Sequence, residues 1–541
     1  MKLLLVSLLL ICVLGTPMTG TVRLWQTSDV HGWIDGHPHM YKDAGLADFL
    51  GLVETEKTAV QNDETTEFLL LDSGDQVQGT GFSDATDIDG SFIYAMMKHL
   101  PYDGMTVGNH ELGLPDTVKM LHDHASDLFT ESDLYVTTNT IWGSNKGESQ
   151  EDMKPLGQTR YRTMTLKKFD MKVIIFGWMY NFSHDIDGAF VVDAVKTINS
   201  DWFKAVIEKE KPDFVINLNH IATSDHQNNN IYLAQRALMP DTPLLLLTGH
   251  SHQFRHANCI AADGSTDPQC FMSEPMCYLY MFVEMDLHFT RASGKWQWAD
   301  LPSPKSVEAT KAAFKSVVGD ESITTSHSKA MQTEIDTEAS ELHLNKVMGC
   351  SDKTYYRSQA PEGYGSAKSF IGFFQGKVMP QAVYPDDGAN YVSFFNSGIL
   401  RANLYEGQVV QEDIYTIAPF PDPFKTIKVS GSDIKQLLKL DHGYPYDSDL
   451  VSENHHEVGV GLGMAPSFGY TPLPHYILSI GSSEIVEDKD YVLFCDGYDS
   501  VAFLERLNKH GESAPYTADD FHPATTVQTA LEDYMSKYMS C

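Results

Sequence analysis

The chain has 541 residues, 42% of them hydrophobic and 11% aromatic, which is enough apolar material for two cores and too long for one. Its 39 Lys and Arg against 73 Asp and Glu give a formal net charge of −34, with no basic block and no basic–aromatic stripe. That excludes a nucleic-acid polymer or an anionic membrane surface as partner, and admits a small anionic substrate only where metals or a local Arg reverse the field.

Residues 1–20 read as a secretory signal: Lys2, a nearly unbroken apolar run from Leu3 to Leu14, then small residues suited to cleavage between Gly15 and Gly20. The run is shorter than the ~20 residues that span a bilayer, and no later stretch suggests stable membrane insertion. The expected location is the secretory pathway, ending outside the cell or in a vacuolar lumen; the oligomeric state stays open. Cys12 leaves with the signal. The six remaining Cys, an even number in an oxidising compartment, point to disulfides; Cys259, Cys270 and Cys277 lie close enough to staple a loop, with connectivity open. Asn181-Phe182-Ser183 is the one N-glycosylation sequon.

From residue 21 to about 298, short apolar strands alternate with helical or loop segments, the pattern of an α/β layer fold. Five segments carry ligand-type residues directly after an apolar run. Arg23–Thr27 leads to Ser28-Asp29-Val30-His31, and Phe68–Leu71 to Asp72-Ser73-Gly74-Asp75. Met105–Val107 reads as a third strand, leading to Gly108-Asn109-His110-Glu111. Phe214–Asn219 ends in His220, and Leu244–Thr248 in Gly249-His250-Ser251-His252. Asp29, His31, Asp75, Asn109, His220, His250 and His252 supply enough oxygen and nitrogen donors for two divalent ions if one carboxylate bridges them, with Asp75 the natural bridge. Zn, Mn, Fe, Co and Mg all suit such a donor set. His37/His39 and His122/His124 read as chance pairs.

At residues 299–340 the character changes to a helical linker: Ser303-Pro304 reads as N-cap and first helical residue, and a second helix spans about 326–344. Residues 341–541 read as a separate α+β domain. Its expected strands are at Tyr391–Phe395, Phe424–Val429, His475–Ile480 and Tyr491–Phe494, and its expected helices at Ser366–Val378, Asp433–Leu440 and Ala524–Tyr538.

The order Asp-x-His, Gly-Asp, Gly-Asn-His-Glu, His, Gly-His-x-His resembles the calcineurin-like metallophosphoesterases, and the whole chain resembles their two-domain 5′-nucleotidase family. The resemblance implies a metallophosphoesterase β-sandwich flanked by helices, a helical linker and a second, substrate-binding α+β domain. It implies that Asp29, His31, Asp75 and His252 hold one ion and Asp75, Asn109, His220 and His250 the other, with His110 beside the phosphate. The protein Ser/Thr phosphatases match less well, because Gly74-Asp75-Gln76-Val77 continues as Gln78-Gly79-Thr80 without their Arg. In the second half, Asn396-Ser397-Gly398-Ile399-Leu400-Arg401 and Pro419-Phe420 are similar to the family's substrate pocket. This implies that Asn396 and Arg401 contact phosphate or nucleoside, and that Phe420 packs on the base with Tyr498 as the second face of a clamp.

Three departures stand out. The family's Gly-Gly-Asp-Gly-aromatic segment is replaced by Cys495-Asp496-Gly497-Tyr498. Its Asn-Leu-Gly-Asn-like helix opening is replaced by Gly363-Tyr364-Gly365-Ser366. The Asp that supports the catalytic His is replaced by Leu112-Gly113, leaving Asp116 as a candidate support for His110. The expected reaction is two-metal hydrolysis of a nucleoside monophosphate. The alternatives are a 2′,3′-cyclic nucleotide, a nucleotide sugar or a broad range of monoesters on the same centre, and, in another class, a non-catalytic secreted binding protein with an inherited fold.

Overall fold

The computed structural model describes residues 18–541 apart from 130, 144–153, 183–187, 320–321, 358–366, 385–390, 422, 441–454, 459–475, 481–485, 498–499, 512 and 514. The expected signal falls largely outside these residues, and so does Tyr498.

Two sheets face each other in the first half. One is built around Met18–Thr27, which pairs in parallel with Thr66–Asp72 and antiparallel with Met281–Ala292. The other has six strands in the order Arg255–Ile260, Thr266–Glu274, Leu244–Thr248, Phe214–His220, Met171–Met179, Tyr161–Leu166. Strand periodicity explains the packing. Val22, Leu24, Leu69 and Leu71 point between the sheets to meet Val173, Ile175, Ile216, Leu245 and Leu247. Trp25, Phe68 and Leu70 point the other way, onto the helix Leu46–Gln61. Residues 68–71 are continuously apolar because both of their faces are buried.

The strands Met18–Thr27 and Thr66–Asp72 run parallel, as do Met171–Met179, Phe214–His220 and Leu244–Thr248. Their carboxyl ends therefore open toward the segments that carry the candidate ligands. Met105–Val107 does not form the expected strand: Met105 makes a single bridge with Tyr135, and Gly104 just before it makes one with Leu71. Side chains add to this pairing. The Thr106 hydroxyl donates to the Val136 carbonyl (2.8 Å), and the Gln76 amide donates to the Thr106 carbonyl (2.9 Å).

The segment 299–340 differs from the expected linker helix at its start. Lys305–Glu308 is an edge strand paired with Met281–Glu284, and the first helix is Lys311–Val317, capped by Thr310. Local cap chemistry pointed to Ser303-Pro304, but Pro is equally suited to precede an edge strand. The helix Ser326–Glu341 follows, and its Met331, Ile335 and Ala339, spaced four residues apart, join the core around Leu46–Gln61.

In the second half a six-stranded sheet runs His455–Val458, Tyr476–Ile480, Tyr391–Asn396, Asp490–Cys495, Pro423–Ser430, His522–Thr526. The helix expected at Ser366–Val378 begins at Phe370 and passes into the wider turns of Phe374–Val383, with Pro380 inside. The last helix is Val527–Tyr538, because 522–526 joins the sheet and Thr526 caps the helix. The halves touch beside the candidate site: Glu412 accepts the Gly81 N–H (2.9 Å), and His39 stacks on Tyr405 and lies 3.2 Å from Asp413.

Cys259 pairs with Cys270 across adjacent strands, and Cys350 with Cys541. The even count misleads for the remaining two, since Cys277 and Cys495 are buried thiols. The Cys350–Cys541 bridge closes a sequence separation of 191 residues and fastens the C-terminus to the strand Val347–Ser351. Replacing both by Ser is expected to lower stability by about 2–5 kcal/mol, read as a lower denaturant midpoint; an unchanged midpoint would contradict this.

Candidate metal centre

Backbone hydrogen bonds between the first two strands continue past their ends, though no longer in the register of the ladder. The Asp29 N–H donates to the Gly74 carbonyl (2.8 Å), the His31 N–H to the Asp75 carbonyl (3.0 Å), and the Gly32 N–H to the Gln76 carbonyl (2.8 Å). Two ligand-bearing turns are thereby locked to each other before any ion is considered. Close approach explains the glycines: a Cβ at Gly108 would sit 2.0 Å from Asp75 Oδ1, and one at Gly249 would sit 2.2 Å from Ser28 Oγ. Among the described residues thirteen non-glycine residues have positive φ, and five of them are Asp29, His31, Asp75, His250 and His252. Such backbone is disfavoured for ordinary side chains and collects where a site requires it.

All seven residues singled out as ligands are brought together. Asp29, His31, Asp75 and His252 form one group with donor atoms within 4.8 Å of one another, and Asp75, His220 and His250 form a second that shares Asp75. Asn109, at the start of the helix Asn109–Leu112, places Oδ1 3.1 Å from His220 Nε2. The rejected pairs lie elsewhere: His37 meets the Tyr278 carbonyl, His122 stacks on Trp142, and His124 faces Asp127.

The protonation pattern suits a cation. His31 Nδ1 faces the Val77 and Gln78 carbonyls (3.1 and 2.9 Å), and His220 Nδ1 faces the Ser73 carbonyl (2.9 Å), so each Nδ1 holds a proton and each Nε2 turns inward. His31 Nε2 and His252 Nε2 lie 3.1 Å apart. Asp75 Oδ1 accepts the His110 N–H (2.9 Å), whereas Asp75 Oδ2 is buried without a hydrogen-bond partner. Around that orphaned oxygen stand His220 Nε2 at 3.0 Å, His31 Nε2 at 3.6 Å and His110 Nε2 at 4.0 Å. A bare carboxylate oxygen ringed by imidazole nitrogens fits a divalent ion.

The electrostatics agree. Burial opposes charge on Asp75, yet His220, His110 and His31 hold its carboxyl well below the usual carboxylate range. Burial disfavours charge on His220 too, but the negative charge of Asp75 beside it outweighs this and carries the imidazole up to about 10. The position facing Asp75 calls for positive charge, which a proton or an ion supplies. Burial pushes His31 and His250 down to about 4, leaving both neutral and able to ligate at physiological pH.

Residues behind the ligands were not singled out from the sequence. Glu111 accepts the N–H groups of Gln76, Val77 and Gly108 (2.6, 3.2 and 2.8 Å), joining two turns, and burial raises its carboxyl to about 8. Glu274 accepts the Ser251 and Thr223 N–H groups (2.8 and 2.9 Å), holding the His250–His252 turn. Glu111 belongs to the quoted Gly-Asn-His-Glu motif; Glu274 has no local signal. The His110 imidazole does not reach for Asp116, whose charge instead bears on Asp89. Its Nδ1 lies 2.6 Å from Gln78 Oε1.

Between this centre and the second half lies a cleft lined by His31, His110, Gln78, Trp33, Tyr278 and Arg401, among others. The Arg401 guanidinium lies 4.9 Å from the Phe420 ring centre, and Phe420 stacks toward His110 at 6.2 Å. Asn396 ends the strand Tyr391–Asn396, four residues before Leu400, which is buried.

Residues 22–254 match the family model of the calcineurin-like phosphoesterases, and residues 351–470 match that of the 5′-nucleotidase C-terminal domain. An uncharacterized protein of Schizosaccharomyces pombe is 23% identical over 481 residues, covering 80% of this chain and 76% of its own length. A protein of Arthroderma benhamiae named as a secreted protein is 24% identical over 475 residues, covering 79% and 68%. The crystal structure of 5′-nucleotidase from Candida albicans shares the fold, with a TM-score of 0.80 at 21% identity over 95% of this chain and 98% of that one. With both domains matched and the ligand-type residues gathered at one edge, the chain belongs to the two-domain 5′-nucleotidase family of the calcineurin-like metallophosphoesterases and is a metal-dependent phosphoester hydrolase.

Proposed function

We propose that this protein uses two divalent ions to hydrolyse nucleoside monophosphates to nucleoside and phosphate. The observation that carries the two-ion reading is Asp75, which belongs to both donor groups and whose Oδ2 is buried without a hydrogen-bond partner. Asp29, His31, Asp75 and His252 would hold one ion, and Asp75, Asn109, His220 and His250 the other. Ions in such a site supply Lewis-acid charge to the phosphoryl group and lower the pKa of water.

The chain's own residues do the rest. His110 and Arg401 face the same cleft, so a phosphate there meets an imidazole and a guanidinium on one side. Burial holds His110 well below its usual pKa, and the dianionic phosphate supplies the countercharge that favours its proton. Phe420, flanked by Arg401 and close to His110, offers a flat face to the base. Asn396 would contact the phosphate or nucleoside from its strand end, and Tyr498 would close the clamp.

Secretion is part of the same proposal. It rests on the apolar N-terminal run and the secreted relative, and no helix among the described residues is long and apolar enough to cross a membrane. Asn181, the acceptor of the sequon, is exposed.

Phosphate release should be fastest on AMP among AMP, ADP, a UDP-sugar, 2′,3′-cyclic AMP and an aryl phosphate, and should be abolished by chelator. Equal rates on unrelated esters would remove the nucleoside assignment. Arg401→Ala should raise KM for AMP about 10- to 100-fold, the worth of a charged hydrogen bond; an unchanged KM would place Arg401 outside the substrate site. Gly108→Ala should push Asp75 aside and reduce bound metal per chain, measured by elemental analysis of folded protein; a full complement would contradict the tight approach of these two turns.

A further inference from the structure

We propose that Gln78 is the positioning residue of His110, fixing the imidazole's tautomer and direction through its side-chain amide. The inference rests on the phosphoesterase reading for its kinetic test and on the geometry of one turn for its argument.

That turn is clamped on every side. Gln78 has φ of +65°, and its N–H donates to Ser83 Oγ (2.8 Å), while the next N–H, of Gly79, donates to Asp84 Oδ2 (2.9 Å). On the opposite side the Val77 and Gln78 carbonyls accept from His31 Nδ1. A Cβ on Gly79 would come within 2.6 Å of the His31 carbonyl, so this turn lies hard against the one that carries His31. With its backbone held this way, Gln78 has its Oε1 2.6 Å from His110 Nδ1.

An amide oxygen only accepts, so Nδ1 of His110 carries the proton and Nε2 is the atom turned toward Asp75 Oδ2, 4.0 Å away. Other contacts of the ring are weaker in direction: an edge-on approach to His31 at 4.4 Å and the stack on Phe420 at 6.2 Å. Neither selects a tautomer. Leu112 and Gly113 beyond the motif offer no carboxylate. A neutral amide also orients the imidazole without adding negative charge beside Asp29 and Asp75, in a site that must receive an anion. One turn thus aims two histidines, His31 by its carbonyls and His110 by its side chain.

The test compares metal-loaded wild type with Gln78→Asn and Gln78→Glu, alone and in a His110→Asn background, on the phosphate ester the wild type cleaves fastest. Asn tolerates the left-handed backbone but is one methylene too short. Gln78→Asn is expected to lower kcat about 10- to 100-fold with KM and metal content unchanged. Gln78→Glu, which keeps an acceptor at the same reach, is expected to lose less kcat than Gln78→Asn, with its added negative charge showing as a raised KM. In the His110→Asn background, Gln78→Asn should change kcat no further.

An unchanged kcat in Gln78→Asn, or an equal loss with and without His110, overturns the proposal. A second readout does not depend on activity. The downfield N–H proton resonance of a hydrogen-bonded imidazole, identified by its loss in His110→Asn, should also be lost or strongly shifted in Gln78→Asn, and its persistence there overturns the proposal. A wild type that releases no phosphate from any ester refutes the functional reading instead and leaves this resonance to decide the fate of Gln78.

Discussion

The constraint on which the site depends is the backbone lock between the turns after the first two parallel strands. Parallel pairing fixes Arg23 opposite Phe68 and Thr27 opposite Asp72, and three further backbone hydrogen bonds, no longer in the register of the ladder, tie Asp29 to Gly74, His31 to Asp75 and Gly32 to Gln76. The strands are held in turn by apolar side chains on both faces. Displacing one strand by a single residue would send Leu69 and Leu71 to the wrong layer and separate the two carboxylates at the same time. The position of Asp75 relative to Asp29 and His31 is therefore a property of the sandwich core. Left-handed backbone at the ligands persists because this frame over-determines it.

A buried polar web makes the frame specific. Glu111 gathers three N–H groups of the turns around Asp75, and Glu274 ties the Ser251 N–H of the His250–His252 turn to that of Thr223. Both carboxyls are raised by burial, Glu111 to about 8 and Glu274 to about 7, so burial works against a full negative charge on either. The lasting negative charge is kept on Asp29 and Asp75, where imidazoles hold the carboxyls low and where the family's metals belong.

Much of this could be read from the chain because strand-end ligands are signalled twice, by an apolar run and by the residue after it. Asp29, His31, Asp75, Asn109, His220, His250 and His252 were all singled out that way, and the structure brings their side chains together. Asn109 is among them although Met105–Val107, expected as its strand, makes only an isolated bridge. Ser303-Pro304 misled, since the same residues cap a helix or precede an edge strand and only the pairing with Met281–Glu284 decides between the two. Asp116 misled as the support for His110 because sequence proximity stood in for direction. The true neighbour, Gln78, is 32 residues away and reaches His110 through a turn whose φ no local propensity announces. Glu274, on the strand Thr266–Glu274, was invisible for the same reason: its partners Ser251 and Thr223 come from other parts of the chain.

The central claim is that Asp75 is shared between two cation sites. Anomalous diffraction from crystals of the mature protein grown with Mn²⁺ or Zn²⁺ tests it most directly. The account predicts two peaks, both within ligating distance of Asp75, one completed by Asp29, His31 and His252 and the other by Asn109, His220 and His250. A single peak, or two peaks that do not share Asp75, would contradict it.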